Sequence, residues 1–198
     1  MSELTIKEKI IATDMLILSQ GYLKKILQVS GKTYGIDTLI QYGYIAVIKK
    51  GETYYNLLIK SFKNPYILWA SYMWQNEYLF GGFDRYNKEW FTTQMSNVFT
   101  LYNLKYSRES EILGMKFRFK KVKKEFLYGA MSQKIEGHSL VYMDKERLFI
   151  EYVRDYIGYD TSFFSSIIPK LDEKKLRQYL SVYPINKVVH RINSFLCI

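Results

Sequence analysis

The side chains of this 198-residue chain that could carry out covalent or metal chemistry are few and scattered. Its two histidines, His138 and His190, stand far apart in sequence, and its single cysteine, Cys197, is the penultimate residue. Neither a pair of histidines one helical turn apart nor a Cys/His set at zinc-ligand spacing is present, so no metal site is expected. No glycine loop ends in Lys-Ser/Thr to cradle a phosphate, and no Gly-x-Ser-x-Gly elbow sharpens a serine. The densest set of titratable groups is Glu146, Arg147, Glu151, Arg154 and Asp155. Carboxylates interleaved with arginines in this way read as ion pairs on a solvated helix face rather than as an acid/base pair. With no catalytic set and no cofactor motif, the chain reads as a non-enzyme, and its recognisable chemistry is charge and hydrogen bonding.

The formal charge is +10 and the pI about 9.4, which points to an anionic partner, most simply nucleic acid. Lysine dominates over arginine, and Ile, Tyr, Asn and Phe are abundant, the profile expected of an AT-rich genome, so the charge is discounted as a pointer to function. One cysteine excludes an intramolecular disulfide. Glu3, Lys7, Glu8 and Lys9 leave no room for a signal-peptide core at the N-terminus. No stretch approaches the roughly 18 apolar residues that span a bilayer, so the expectation is a soluble, cytoplasmic protein with no membrane partner.

The elements that must position these charges are clearest from Ser19 to Leu57. Ser19 can cap a helix that buries Leu23, Ile26 and Leu27 and stops at Val29 to Gly31. A second helix is expected from about Lys32 to Tyr42, burying Ile36, Leu39 and Ile40, with Gly43 as a left-handed cap. Tyr44 to Ile48 and Thr53 to Leu57 then form a hairpin across Lys49, Lys50, Gly51 and Glu52. Leu4 to Thr13 supplies a helix behind this unit and Met15 to Leu18 a short strand. Together they predict a winged helix-turn-helix. Lys32, Thr33, Tyr34, Asp37, Thr38 and Gln41 on the second helix would meet base edges in a major groove, while Lys49 and Lys50 at the hairpin tip would touch phosphate.

Pro65 suits the first turn of a helix and marks the boundary, giving a DNA-binding domain over residues 1–62 and a second domain over 63–198. A helix is expected over Pro65 to Leu79, ended by Gly81 and Gly82. Short β-like runs follow from Arg85 to Glu125, among them Val98 to Leu104 and Met115 to Val122. In the latter, Met115, Phe117 and Phe119 alternate with Lys116, Arg118 and Lys120, so one face is apolar and the other cationic. His138 to Tyr142 reads as a strand, Asp144 caps a helix over Lys145 to Tyr156, and helical pieces over Phe163 to Ile168, from Asp172 and from Pro184 finish the chain. Lys174, Lys175, Arg177, Lys187, His190 and Arg191 face outward on the last two. The fold class is α+β: the winged helix-turn-helix, then a mixed α/β domain ending in helices.

This order of parts resembles a known family. A short winged helix closing on Lys50-Gly51-Glu52-Thr53-Tyr54, an aromatic helix at Pro65 and a β-rich middle are followed by Asp144-Lys145-Glu146-Arg147 before an apolar helix. A last helix carries His190-Arg191. Nearly the whole chain is thereby similar to the AbiEi-type antitoxins of bacterial abortive-infection type IV toxin-antitoxin systems. It departs from that pattern in a short turn before the second helix, and in Ile150-Glu151 where the family shows an aliphatic residue followed by aspartate. The resemblance implies a repressor that binds inverted repeats of double-stranded DNA in its own promoter. It also implies an antitoxin that counters a nucleotidyltransferase-like toxin without a stable complex. Lys116, Arg118, Lys120, Arg147, Lys187 and Arg191 would form the antitoxin surface. The alternatives are an RNA- or tRNA-binding module favoured by the basic, aromatic middle, an ordinary winged-helix regulator without a toxin, and an enzyme assembled from scattered acids.

Overall fold

A capping box sets the first helix, α1 (Ile6–Ile11). The Thr5 hydroxyl accepts the Glu8 backbone N–H, and the Glu8 carboxylate accepts the Thr5 N–H at 2.7 Å. Ile10 from this helix is fully buried. The computed structural model describes residues 5–29, 35–49, 51–59, 64–73, 77–112, 114–156 and 162–196. It divides into two units, Met1–Trp74 with Ile135–His138, and Gln75–Lys134 with Ser139–Ile198.

In the first unit, β1 (Ile17–Ser19) leads directly into α2 (Gln20–Val29). The Ser19 hydroxyl accepts the Tyr22 N–H at 3.2 Å, and Leu23, Ile26 and Leu27 are buried, as the spacing predicts. Then come α3 (Ile36–Gln41), β2 (Ile45–Lys49) and β3 (Thr53–Asn56). The three strands form an antiparallel sheet in the order β1-β3-β2. Ile10, Leu18, Leu23, Leu39, Ile45 and Tyr54 share one core. Buried Asn56 fastens it: its amide N–H donates to the carbonyls of Ile10 at 3.3 Å and Met15 at 3.1 Å, and its side-chain oxygen accepts the Leu58 N–H at 3.1 Å. Helix α4 (Pro65–Met73) has no polar stripe, and Tyr66 to Ala70 and Met73 are all buried.

The expected helix over Pro65 to Leu79 is too long. Tyr78 and Leu79 begin a strand, β4 (Tyr78–Gly81), and Gly82, at φ +90°, precedes a helix the periodicity did not predict, α5 (Phe83–Lys88). A continuous apolar run reads alike in a helix and in a strand buried within a sheet, so its spacing does not mark this boundary. The rest of the second unit, apart from the β8–β9 turn Ile135–His138 that is grouped with the first, comprises β5 (Val98–Asn103), β6 (Arg108–Ile112), β7 (Met115–Lys121), β8 (Ala130–Ile135), β9 (His138–Met143), α6 (Lys145–Asp155), α7 (Glu173–Val182) and α8 (Asn186–Leu196). Its six strands lie in the order β6-β7-β5-β4-β9-β8, with β5 parallel to β7 and β4 parallel to β9. Strands β6 and β8 were not predicted because neither carries an apolar alternation: one is charged and the other is exposed nearly throughout.

Leu79, Tyr102 and Met143 from the sheet join Leu148, Phe149, Tyr152 and Val153 of α6 in one core, closed by Leu176 and Leu180 of α7 and Val188 and Ile192 of α8. Every residue of α6 from Glu146 to Val153 is buried. The expectation of a solvated face carrying Glu146, Arg147 and Glu151 is therefore corrected. The core packs around the whole circumference of this helix, so its charges must be answered inside the protein.

Candidate functional site

Helix α3 is six residues long and starts at Gly35, whose carbonyl accepts the Thr38 N–H at 3.1 Å. It therefore begins later than the helix expected from Lys32. Leu39 turns into the core, Asp37 and Gln41 are exposed, and Thr38 is half-buried. Lys32, Thr33, Tyr34 and, in the hairpin, Lys50 lie outside the described residues, as does Cys197. The helix ends in a Schellman motif. Gly43, at φ +67°, donates to the Ile40 carbonyl at 2.9 Å, and Tyr44 donates to the Leu39 carbonyl at 3.0 Å. This reversal feeds β2, so the exposed side of α3 and the β2–β3 hairpin are fixed within one small unit.

Lys49 stands at the end of β2 and is exposed, but it is not an isolated cation. Its Nζ lies 2.6 Å from a Glu52 carboxylate oxygen across the turn. The Glu52 carbonyl accepts the Gln20 N–H at 2.8 Å, which ties the hairpin to the start of α2. An exposed pair of this kind is worth little and exchanges readily, so an incoming phosphate can replace Glu52 on Lys49.

On β7 the predicted alternation holds, with Phe117 and Phe119 buried and Lys116 and Arg118 exposed. Tertiary pairing changes what those cations offer. Glu109 on β6 accepts from Arg118 at 2.8 Å, and Glu111 is the register neighbour of Lys116. Lys120 is partly buried, beside the Tyr102 hydroxyl at 3.4 Å and the Asp155 carboxylate at 3.8 Å. Burial and the nearby Arg154 lower its pKa, against the pull of Asp155. A shallow groove of about 360 Å³ beside these strands is lined by Val98, Glu109, Ser110, Glu111, Lys116, Phe117 and Arg118, two acids against two bases. On α8, Lys187 and Arg191 are exposed, with His190 beside them and no acidic residue on the helix.

Arg147 does not belong to any surface. Its side chain is 0% exposed, its Nη1 lies 2.5 Å from the Glu151 carboxylate, and its guanidinium sits over the rings of Tyr128 and Tyr183. Glu151 also pairs with Arg154 and accepts from the Tyr183 hydroxyl at 3.1 Å. Arg154 donates to the Tyr102 hydroxyl at 3.1 Å, and Tyr86 donates to Asp155 at 2.8 Å. Burial opposes the Arg147 charge, but Glu151 and the surrounding phenols outweigh it and leave the guanidinium firmly charged. Burial pushes the Tyr128 phenol up to about 12, so this hydroxyl keeps its proton at neutral pH. The spacing of Arg147 four residues before Glu151 was visible in the sequence. Its burial was not.

Two further features escaped the sequence reading. Trp90 is 85% exposed at φ +61°, and Met95 in the same loop is as exposed. Among the described residues no group of His, Cys, Asp or Glu is arranged to hold a metal ion, and no helix is long and apolar enough to cross a membrane. No protein-family model matches the chain, and no curated protein matches it.

Proposed function

We propose that this chain is a DNA-binding autorepressor and antitoxin of a bacterial type IV, abortive-infection toxin-antitoxin operon, acting without catalysis. The observation that carries the DNA half is the layout of the first unit. Helices α1, α2 and α3 with the β1-β3-β2 sheet leave Asp37 and Gln41 exposed on α3 and Lys49 exposed on the hairpin. We read this layout as a winged helix, in which α3 would enter the major groove and the hairpin would lie on phosphate. Lys32, Thr33 and Tyr34 precede α3 in the chain, and Lys50 follows Lys49. The first arginine in the sequence is Arg85, so this unit has no guanidinium fork for guanine, and Gln41 is suited to adenine instead.

The test is binding to the DNA upstream of the chain's own gene, followed by fluorescence anisotropy. Gln41→Ala is expected to weaken operator binding roughly 10-fold or more while sparing non-operator DNA. Lys49→Ala should weaken both alike and make the salt slope shallower by about 1. If both variants bind as the parent does, α3 and the hairpin are not the DNA-binding face.

The antitoxin half rests on the resemblance alone, with Lys116, Arg118, Lys187 and Arg191 as its exposed candidates. Co-expression with the product of the gene immediately downstream tests it. Growth rescue by the parent and its loss on reversing Lys187 and Arg191 to glutamate is the expected result. A downstream gene with no toxic product would leave an ordinary regulator.

A further inference from the structure

The two edge strands of the six-stranded sheet are built differently. Strand β6 reads Arg-Glu-Ser-Glu-Ile, and charges of this density guard an edge against pairing with another chain. Strand β8 reads Ala-Met-Ser-Gln-Lys-Ile, with Ala130 to Lys134 all exposed on both faces and Lys134 its only charge. Its hairpin with β9 turns on Glu136 and Gly137, at φ +49° and +81°, the two left-handed residues of a type I′ turn. In such a turn the flanking residues, Ile135 and His138, form the hydrogen-bonded pair. The alternate residues Lys134, Ser132 and Ala130 then direct their N–H and C=O groups away from β9. Among the described residues, no backbone hydrogen bond outside the sheet reaches Ala130–Ile135.

We propose that this edge pairs with β8 of a second copy of the same chain, antiparallel about a two-fold axis at Ser132. The occupant follows from the charge pattern. In this register Ser132 meets Ser132, Met131 meets Gln133, and each Lys134 faces Ala130 of the other copy, so no like charges stand opposite each other. The pairing is isologous and closes at two copies. A single strand pair buries less than the roughly 800 Å² per partner of a standard interface, so the dimer is concentration-dependent. A two-fold dimer also suits an inverted repeat, a consequence that, unlike the pairing itself, rests on the DNA reading.

The experiment uses the full chain without DNA, by sedimentation equilibrium from low to high micromolar protein. Ala130→Lys places a second lysine opposite Lys134 twice per dimer and should raise the dissociation constant several-fold. Ala130→Glu places a carboxylate there and should lower it several-fold. Because misfolding would move both variants in one direction, the opposed signs report the register. Ser132→Cys in a Cys197→Ser background should give a disulfide-linked dimer on mild oxidation, and Lys116→Cys in the same background should not. A chain that stays monomeric at every concentration overturns the proposal, as it would if β8 instead served a strand of another protein. A dimer indifferent to both changes at Ala130 overturns it equally.

Discussion

Gly43 and Trp90 occupy the same place in two helix C-termini. After α5, Trp90 donates to the Asn87 carbonyl at 3.1 Å and Phe91 donates to that of Tyr86 at 2.9 Å, the same Schellman bonds that close α3 around Gly43. Glycine adopts the left-handed conformation freely, whereas a side chain there costs about 1–2 kcal/mol. Trp90→Gly is therefore expected to stabilise the protein by roughly 1 kcal/mol, less a few tenths for the looser unfolded chain, measured by denaturant midpoint. A lower midpoint would mean that the indole packs more than its exposure indicates. Asn56 presents the opposite case. Asn56→Ala leaves the Ile10 and Met15 carbonyls and the Leu58 N–H without their partner and should cost about 2–3 kcal/mol in the same assay.

At the scale of the element, α6 shows how a helix with several charges can be the most buried in its unit. Its Arg147 and Glu151 are paired at i,i+4 and roofed by Tyr128 and Tyr183, so removing one partner leaves the other charge uncompensated in the core. Arg147→Met is expected to destabilise by about 3–5 kcal/mol, with part recovered when Glu151→Gln is added. Gly129 belongs to the same packing: at φ +67° its missing Cβ would lie 2.6 Å from the Arg147 Cβ, so Gly129→Ala should disrupt it sterically. In α1 the Thr5 N–H, and secondarily the Thr5 hydroxyl, lower the pKa of Glu8 below its ordinary 4.5. A carboxylate whose folded pKa is lowered stabilises above the unfolded value and loses that contribution as pH falls through the folded one. Helix α1 should therefore loosen below about pH 4.5 in the parent, and Glu8→Gln should flatten that step in an acid titration followed by circular dichroism.

For the whole molecule, the formal charge of +10 does not say where the cations stand, and tertiary pairing decides that in the larger unit. Arg118 is held by Glu109, Lys120 by Asp155, Lys175 by Asp144 and Glu146, and Arg177 by Glu173. On α8, Lys187, His190 and Arg191 face outward, with the Arg191 guanidinium over the Phe195 ring. If the DNA-binding reading proposed above holds, non-operator DNA binding should collapse between about 50 and 200 mM salt, as counterion release dictates. Self-association through the nearly uncharged β8 edge should change little over the same range. A dimer that dissociates as steeply as the DNA complex would assign it to a charged surface instead.

The sequence alone determined the elements whose signals are local. The Ser19 and Asp144 caps, the Gly43 reversal, the alternation on β7 and the apolar faces of α2, α7 and α8 are each decided by residues within a turn or two of one another. Tertiary structure decided what lies across the chain: that the Arg147–Glu151 pair is interior, that glutamates from β6 answer the cations of β7, and that Tyr78 and Leu79 join a sheet rather than a helix. Burial and long-range pairing depend on which distant segments come together, and one-dimensional spacing does not encode that directly.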